Sequence, residues 1–313
     1  MVSLRQAAAV ALFCLPACLH EEPRRVAVSY DLTEAFRAHG HTELFFMPGQ
    51  APFPHPSRAI GYKTGGHFFP FDPHYNDDRV AVFVPNGFTV VAAPDIVIFL
   101  HGWHSSLERI YREDRVVEQF IASRRDALLV IPAGPRNAED SFGGRFEDPH
   151  GFERFLTALA RELRGRGLMT GSGFHSALIA AYSGGYRAAA HMIQDSVNVP
   201  EVWLFDALYG YRPRFHEWVL LPSHRFVSVF TGAAGTLDQN MAMMLELREA
   251  GVGFLSLDVP EDLAFFSSSR IVFARTNAAH RRSFRDEHLL YECLVGSSLR
   301  GLTPANDDPD PNR

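Results

Sequence analysis

Cysteine is scarce in this chain of 313 residues: only Cys14, Cys18 and Cys293 occur. Three separated cysteines exclude a thiolate zinc site. Positive charge is not in excess either. Thirty Lys and Arg stand against 36 Asp and Glu, and the net charge of −6 offers no electrostatic footprint for nucleic acid. There is no internal repeat, and the 26 phenylalanines are scattered without a period. No apolar run is long enough to cross a bilayer as a helix of the mature protein. What the chain does have is 46% hydrophobic and 21% charged residues, the composition of a folded globular protein with a sizeable core. Its length suits one large α/β domain or two small ones.

The N-terminus reads as an export signal rather than as part of the fold. Arg5 is the only charge in residues 1–17, and residues 7–15 form a short apolar stretch. The signal ends in Leu15-Pro16-Ala17-Cys18, which resembles the lipobox of bacterial lipoproteins, where a small residue precedes a cysteine that becomes acylated. The resemblance implies lipidation of Cys18 and a lipid-anchored place at the cell envelope. An ordinary secretory signal with a soluble exported product is the alternative. Cleavage before Cys18 would remove Arg5 and take the formal charge from −6 to −7. It would also remove Cys14 and leave Cys293 as the one unmodified thiol, so no intrachain disulfide can form and the core must stabilise the fold. Cys293 sits in the apolar stretch 289–295 and reads as a buried helix residue.

Residues 18–28 read as a tether, 29–302 as one domain and 303–313, polar with three prolines, as a disordered tail. Residues 26–66, rich in Pro, Gly, His and aromatics, suggest little regular structure beyond a short helix at 32–38. Residues 79–84 and 88–92 look like strands joined by the turn signal Pro85-Asn86-Gly87. Apolar runs then follow at 95–100, 127–131, 177–181, 202–205, 225–230 and 270–273. Helical composition or spacing marks 116–123, 152–164, 185–194, 239–250 and 286–295. Continuous apolar strands alternating with helices predict a mostly parallel central sheet with helices on both faces. In such sheets the chemistry collects at the carboxyl ends of the strands.

Five loops lie at such ends. Ala181-Tyr182-Ser183-Gly184-Gly185 follows an apolar strand and precedes a run of helix formers. A serine on a sharp strand-to-helix turn among small residues is an exposed nucleophile, and Ala181 replaces the first glycine of G-x-S-x-G. His101-Gly102-Trp103-His104 follows the run 95–100, so the Trp103 and Gly184 N–H groups could form a two-donor oxyanion hole. His101 and His104 could instead bond loop backbone. A metal on their His-x-x-His spacing is disfavoured because no third ligand is evident nearby. Asp206 ends the run 202–205, where a carboxylate is costly to desolvate unless it has a partner such as an imidazolium, or serves as a cap. Asp238 follows the next strand and is the alternative acid. His280 lies in a small-residue loop after the last strand.

The order Ser183, Asp206, His280, with Phe99-Leu100-His101-Gly102 and Ala181-Tyr182-Ser183-Gly184-Gly185, resembles the α/β-hydrolase superfamily over residues 79–299. The resemblance implies an α/β-hydrolase fold and a Ser183-Asp206-His280 triad. Its members differ in which strand carries the acid, so Asp238 stays open. It further implies a serine hydrolase working through an acyl-enzyme on a small-molecule or polymer-derived ester, with no cofactor or metal. An amidase or peptidase would use the same residues. A catalytically silent fold with a binding role is the contrasting reading. His101, His104, Phe142, Phe146 and Tyr209 are candidate pocket walls. Arg145 could bind a substrate carboxylate, although a surface salt bridge suits it better. No lid-sized insertion interrupts the core elements, which argues against a dedicated triglyceride lipase.

Overall fold

The inner strands of the sheet form from short β-branched or apolar runs buried on both faces, while the edge strands and a small hairpin are partly exposed. In the computed structural model the strands are β1 (Gly40–Phe46), the small hairpin of β2 (Tyr62–Thr64) and β3 (His67–Phe69), β4 (Arg79–Pro85), β5 (Ile96–Leu100), β6 (Leu128–Pro132), β7 (Ala177–Tyr182), β8 (Glu201–Phe205), β9 (Arg225–Thr231), β10 (Leu255–Val259) and β11 (Ile271–Thr276). The structure describes residues 30–232, 235–285 and 288–303. The signal, Cys18, the tether up to residue 28 and the tail from residue 304 lie outside them. The described residues from Asp31 onward belong to one compact unit.

All strands except the hairpin join one sheet in the order β1-β4-β6-β5-β7-β8-β9-β11-β10. Only β4 runs against the others, pairing antiparallel with both β1 and β6. The rest pair in parallel, which brings the carboxyl ends of β5, β7, β8, β9 and β11 to one edge. The helices are α1 (Phe71–His74), α2 (Leu107–Arg112), α3 (Val116–Ser123), α4 (Gly151–Gly165), α5 (Tyr186–Met192), α6 (Arg212–Val219), α7 (Leu237–Glu249) and α8 (Leu289–Val295).

Alternation along the strands divides the helices between two faces. Ile96, Ile98 and Leu100 of β5 pack with α4, α5, α6 and α7 in the main core cluster. From the opposite face, Phe83 of β4 meets Phe120 of α3, and Phe99 of β5 meets Phe284, which precedes α8. In α4, Phe152, Phe155, Leu156, Leu159 and Leu163 form one buried stripe at helical spacing. Burying a side chain of this kind contributes about 1.5–3 kcal/mol. The helix start is stabilised from a distance: Asp195 accepts hydrogen bonds from the Phe152 and Glu153 N–H groups at 2.9 and 3.3 Å. A mostly parallel sheet, helices on both faces and a serine turn after a central strand make this an α/β-hydrolase fold.

Several local expectations differ. Residues 32–38 form turns, not a helix, and Phe36 has a left-handed backbone (φ 61°). Residues 88–92 are not a strand, because β4 already has β1 on one side and β6 on the other. That segment is held instead by loop bonds: Thr89 N–H donates to Asp126 (2.9 Å), and the Val91 and Ala92 carbonyls accept from Thr170 and Gly171 (both 3.0 Å). The aromatic N-terminal segment supplies β1 and the hairpin. Cys293 lies fully buried on α8, and burial pushes its thiol up.

At the edge of the sheet away from the strand carboxyl ends, Glu201 begins β8 and is buried. It accepts from Trp203 Nε1 (3.2 Å), Arg225 Nη1 (3.1 Å) and the Ser298 N–H (2.7 Å), tying β8, β9 and the chain after α8 together. Glu201→Ala strands the largely buried Arg225 charge and is expected to cost about 3–5 kcal/mol in urea unfolding, with Glu201→Gln milder. A loss under about 1 kcal/mol would mean this cluster does not hold the sheet.

Candidate active site

Parallel pairing carries Ser183, Asp206 and His280 to one edge, because each follows the carboxyl end of its strand: β7, β8 and β11. Ser183 opens a 3₁₀ turn, Ser183–Gly185, that leads into α5. Ser183 and Asp206 both have left-handed backbones, with φ of 50° and 45°. Such non-glycine conformations cost about 1–3 kcal/mol each and persist where the surroundings impose them. The Ser183 Oγ lies 2.9 Å from His280 Nε2, and His280 Nδ1 lies 2.7 Å from Asp206 Oδ2. Ser183 is half-buried, the His280 side chain is 31% exposed and Asp206 is completely buried.

The Asp206 carboxylate has four donors. Thr231 gives its N–H (3.2 Å) and hydroxyl (2.8 Å), Thr236 gives its hydroxyl, and His280 gives Nδ1–H. Burial opposes ionisation, but the hydrogen bonds from His280, Thr236 and Thr231 outweigh it and hold the carboxyl below its ordinary range. With Nδ1 donating, Nε2 carries the lone pair that faces the serine hydroxyl. Asp238 is elsewhere: it is exposed in the first turn of α7, a favourable place for a negative charge beside a helix N-terminus. Tyr182 stacks on His280 (centroids 5.1 Å, interplanar angle 24°), and its hydroxyl donates to the His280 carbonyl at 3.2 Å. Tyr209 meets the imidazole edge-on at 6.4 Å.

The turn after β5 packs directly on the serine. A Cβ on Gly102 would lie 2.6 Å from Ser183 Cβ and 3.1 Å from Oγ, so only glycine fits there. The Trp103 indole covers Gly184, where an added Cβ would meet its Cδ1 at 2.8 Å. His101 is a strut: Nδ1–H donates to the Gly102 carbonyl (2.7 Å) and Nε2 accepts the Gly134 N–H (3.1 Å). Burial keeps its basicity low. His104 pairs with Glu139 at 3.2 Å. Trp103 and His104 line the cleft that holds Ser183 and His280. His101, Phe142 and Phe146 line a separate pocket along Gly184 and Gly185. Phe146 belongs mainly to the core, edge-on against Phe152 and Phe155. Arg145 does not take the expected surface salt bridge. Its Nη1 donates to the Pro54 carbonyl, and it makes no ion pair among the described residues.

Several residues at the site were not legible beforehand. Thr236 stands at the N-terminus of α7, a position that suggests a cap, yet its hydroxyl turns to Asp206. Ser141 accepts the Trp103 indole N–H at 2.8 Å. Its loop is braced by the N-terminal segment, where Arg58 forks onto the buried Asp140 (2.6 and 3.2 Å) and lies over the Phe142 ring. Arg109, Asp114, Arg281 and Arg285 also line the serine cleft. Nothing in their local sequence separates these charges from ordinary surface ones.

No protein-family model matches the chain, and no curated protein matches its sequence. Solved structures do resemble it in shape. A ferulic acid esterase is 16% identical, with 69% of this chain and 90% of that one covered and a TM-score of 0.47. An S-formylglutathione hydrolase from Agrobacterium tumefaciens is 12% identical, with 83% and 96% covered and a TM-score of 0.46. Esterase B from Lactobacillus rhamnosis is 11% identical, with 78% and 88% covered and a TM-score of 0.41.

Proposed function

We propose that the protein is a serine hydrolase that cleaves carboxylic esters through an acyl-enzyme intermediate. The observation that carries this reading is the continuous line from Ser183 Oγ through His280 to Asp206, at 2.9 and 2.7 Å. His280 Nε2 takes the serine proton as Oγ attacks the ester carbonyl carbon. The resulting imidazolium faces a carboxylate that is already ionised and fully hydrogen-bonded, so the charge forms without reorganisation. The Trp103 and Gly184 N–H groups receive the carbonyl oxygen as it becomes an oxyanion. His280 then returns the proton to the departing alcohol, and water repeats the sequence to release the acid. We further propose that residues 1–17 direct export and that Cys18 carries a lipid anchor to the envelope membrane. The support is the sequence Leu15-Pro16-Ala17-Cys18 after a short apolar stretch.

Ser183→Ala is expected to abolish both ester turnover and labelling by a fluorophosphonate probe. Labelling that persists in the variant would reject Ser183 as nucleophile, and no labelling of either protein would favour a binding role. Asp206→Asn is expected to lower kcat by about 10³–10⁴-fold by disturbing the imidazole tautomer, while Asp238→Asn stays within about twofold. The reverse ranking would reassign the acid.

The depressed Asp206 ionisation also has a pH signature. Its stabilisation is complete above the unfolded carboxylate range of about pH 4 and is lost as pH falls through the lower folded value. The stability difference between wild type and Asp206→Asn, read by urea unfolding, therefore narrows on acidification; a constant difference would contradict this. For the anchor, Cys18→Ser is expected to release the protein from membranes on fractionation, and unchanged partitioning would count against lipidation.

A further inference from the structure

The wall of the serine cleft is unusually positive for a chain of net charge −6. Arg109, Arg281 and Arg285 line it, and Asp114 is the one carboxylate that does. Two of the arginines are already engaged. Arg109 pairs with Glu113 (3.2 Å) and donates to the His104 carbonyl (3.1 Å). Arg285 donates to the Glu113 carbonyl (3.0 Å) and lies 3.8 Å from Asp114, with its Nε buried and unpartnered. Arg281 is different. It follows His280 on the 3₁₀ turn His280–Arg282, is exposed at the cleft, and makes no hydrogen bond or ion pair among the described residues.

An arginine without a partner beside two neutralised ones leaves room for one negative charge within reach of the serine. Low-dielectric walls around such a cleft focus the field onto a bound anion. A guanidinium fork matches a planar carboxylate in geometry, and the presence of Asp114 in the same wall favours a singly charged group over a doubly charged one.

We propose that Arg281, backed by Arg285, forms a subsite for a carboxylate, so that the preferred substrates are esters with a free carboxylate on the acyl or the alcohol side. This deepens the hydrolase reading and rests on it for turnover, although the subsite itself can be read by binding alone. The subsite also explains why the charges gather at the one cleft that contains Ser183.

The test uses two ester pairs at low ionic strength. The acyl-side pair is 4-nitrophenyl hydrogen adipate and neutral 4-nitrophenyl hexanoate. The alcohol-side pair is 4-acetoxybenzoate and its neutral methyl ester. In at least one pair kcat/KM is expected to favour the anion by about tenfold, the scale of one charge-assisted hydrogen bond. The preference should fall with added salt and collapse toward unity in Arg281→Gln. Arg248→Gln, which removes the same charge from the last turn of α7, should leave it intact. A preference below about twofold in both pairs, or one that survives Arg281→Gln, would overturn the subsite.

Binding of 4-acetoxybenzoate to Ser183→Ala, measured by calorimetry, separates the two claims. If wild type cleaves no ester, the hydrolase reading fails. Binding of this anion or of 4-nitrophenyl hydrogen adipate that is lost when Arg281→Gln is added would still uphold the carboxylate subsite, and binding of neither would overturn it. Competition by inorganic phosphate that is stronger than competition by benzoate would also overturn it, because the site would then be built for a phosphate.

Discussion

A carboxylate with no access to water organises this molecule. Asp206 ends β8 in complete burial, and an ionised group there is tolerable only if its lone pairs are all occupied. Thr231 from the end of β9, Thr236 at the start of α7 and His280 from the loop after β11 fill them. The β9–α7 connection and the loop after β11 are thereby fixed to one point at the end of β8. The left-handed backbone of Asp206 aims the carboxylate at these donors, and the donors in turn hold that strained conformation. The position of the imidazole is a by-product of satisfying a buried charge.

The two sides of the site are built differently. The side with Asp206 and His280 is polar, short-bonded and anchored in the sheet. The opposite side is built by packing: Gly102 lies against Ser183, the Trp103 indole covers Gly184, and Ser141 holds the indole. Behind Ser141 stands the Arg58–Asp140 pair from the aromatic N-terminal segment. The part of it between β1 and β2, residues 47–61, thus acts as a buttress, stabilised by aromatic faces and one shielded ion pair rather than by a backbone ladder. The positive wall of the cleft is a third component, distinct from both, because it contributes charge without touching the serine.

What could be read in advance follows a physical division. The central strands and α4 were legible because burial on both faces, or on one helical stripe, leaves a local pattern. Ser183, Asp206 and His280 stood out because each follows such a run, a local property with a long-range meaning. Asp206 and Asp238 could not be separated without the third dimension, since both follow strands and only distance to the imidazole divides them. Thr231, Thr236 and Ser141 were invisible for the same reason: a hydroxyl announces no partner. Residues 88–92 misled in the opposite direction. Their β-branched composition suits a strand, but strand formation needs an open edge, and β1, recruited from far upstream, had taken it. The alternating character of residues 40–46 is equally weak until that pairing is known.

The strand order has one more consequence. The chain builds β10 first and then inserts β11 between it and β9, so the segment bearing His280 leaves an interior strand rather than the sheet's margin. If β10 frays, the ladder between β11 and β9 still stands, and the imidazole keeps its anchorage. The outermost strand is a sacrificial hem: it can loosen, or diverge in sequence, while Ser183 and His280 stay in register.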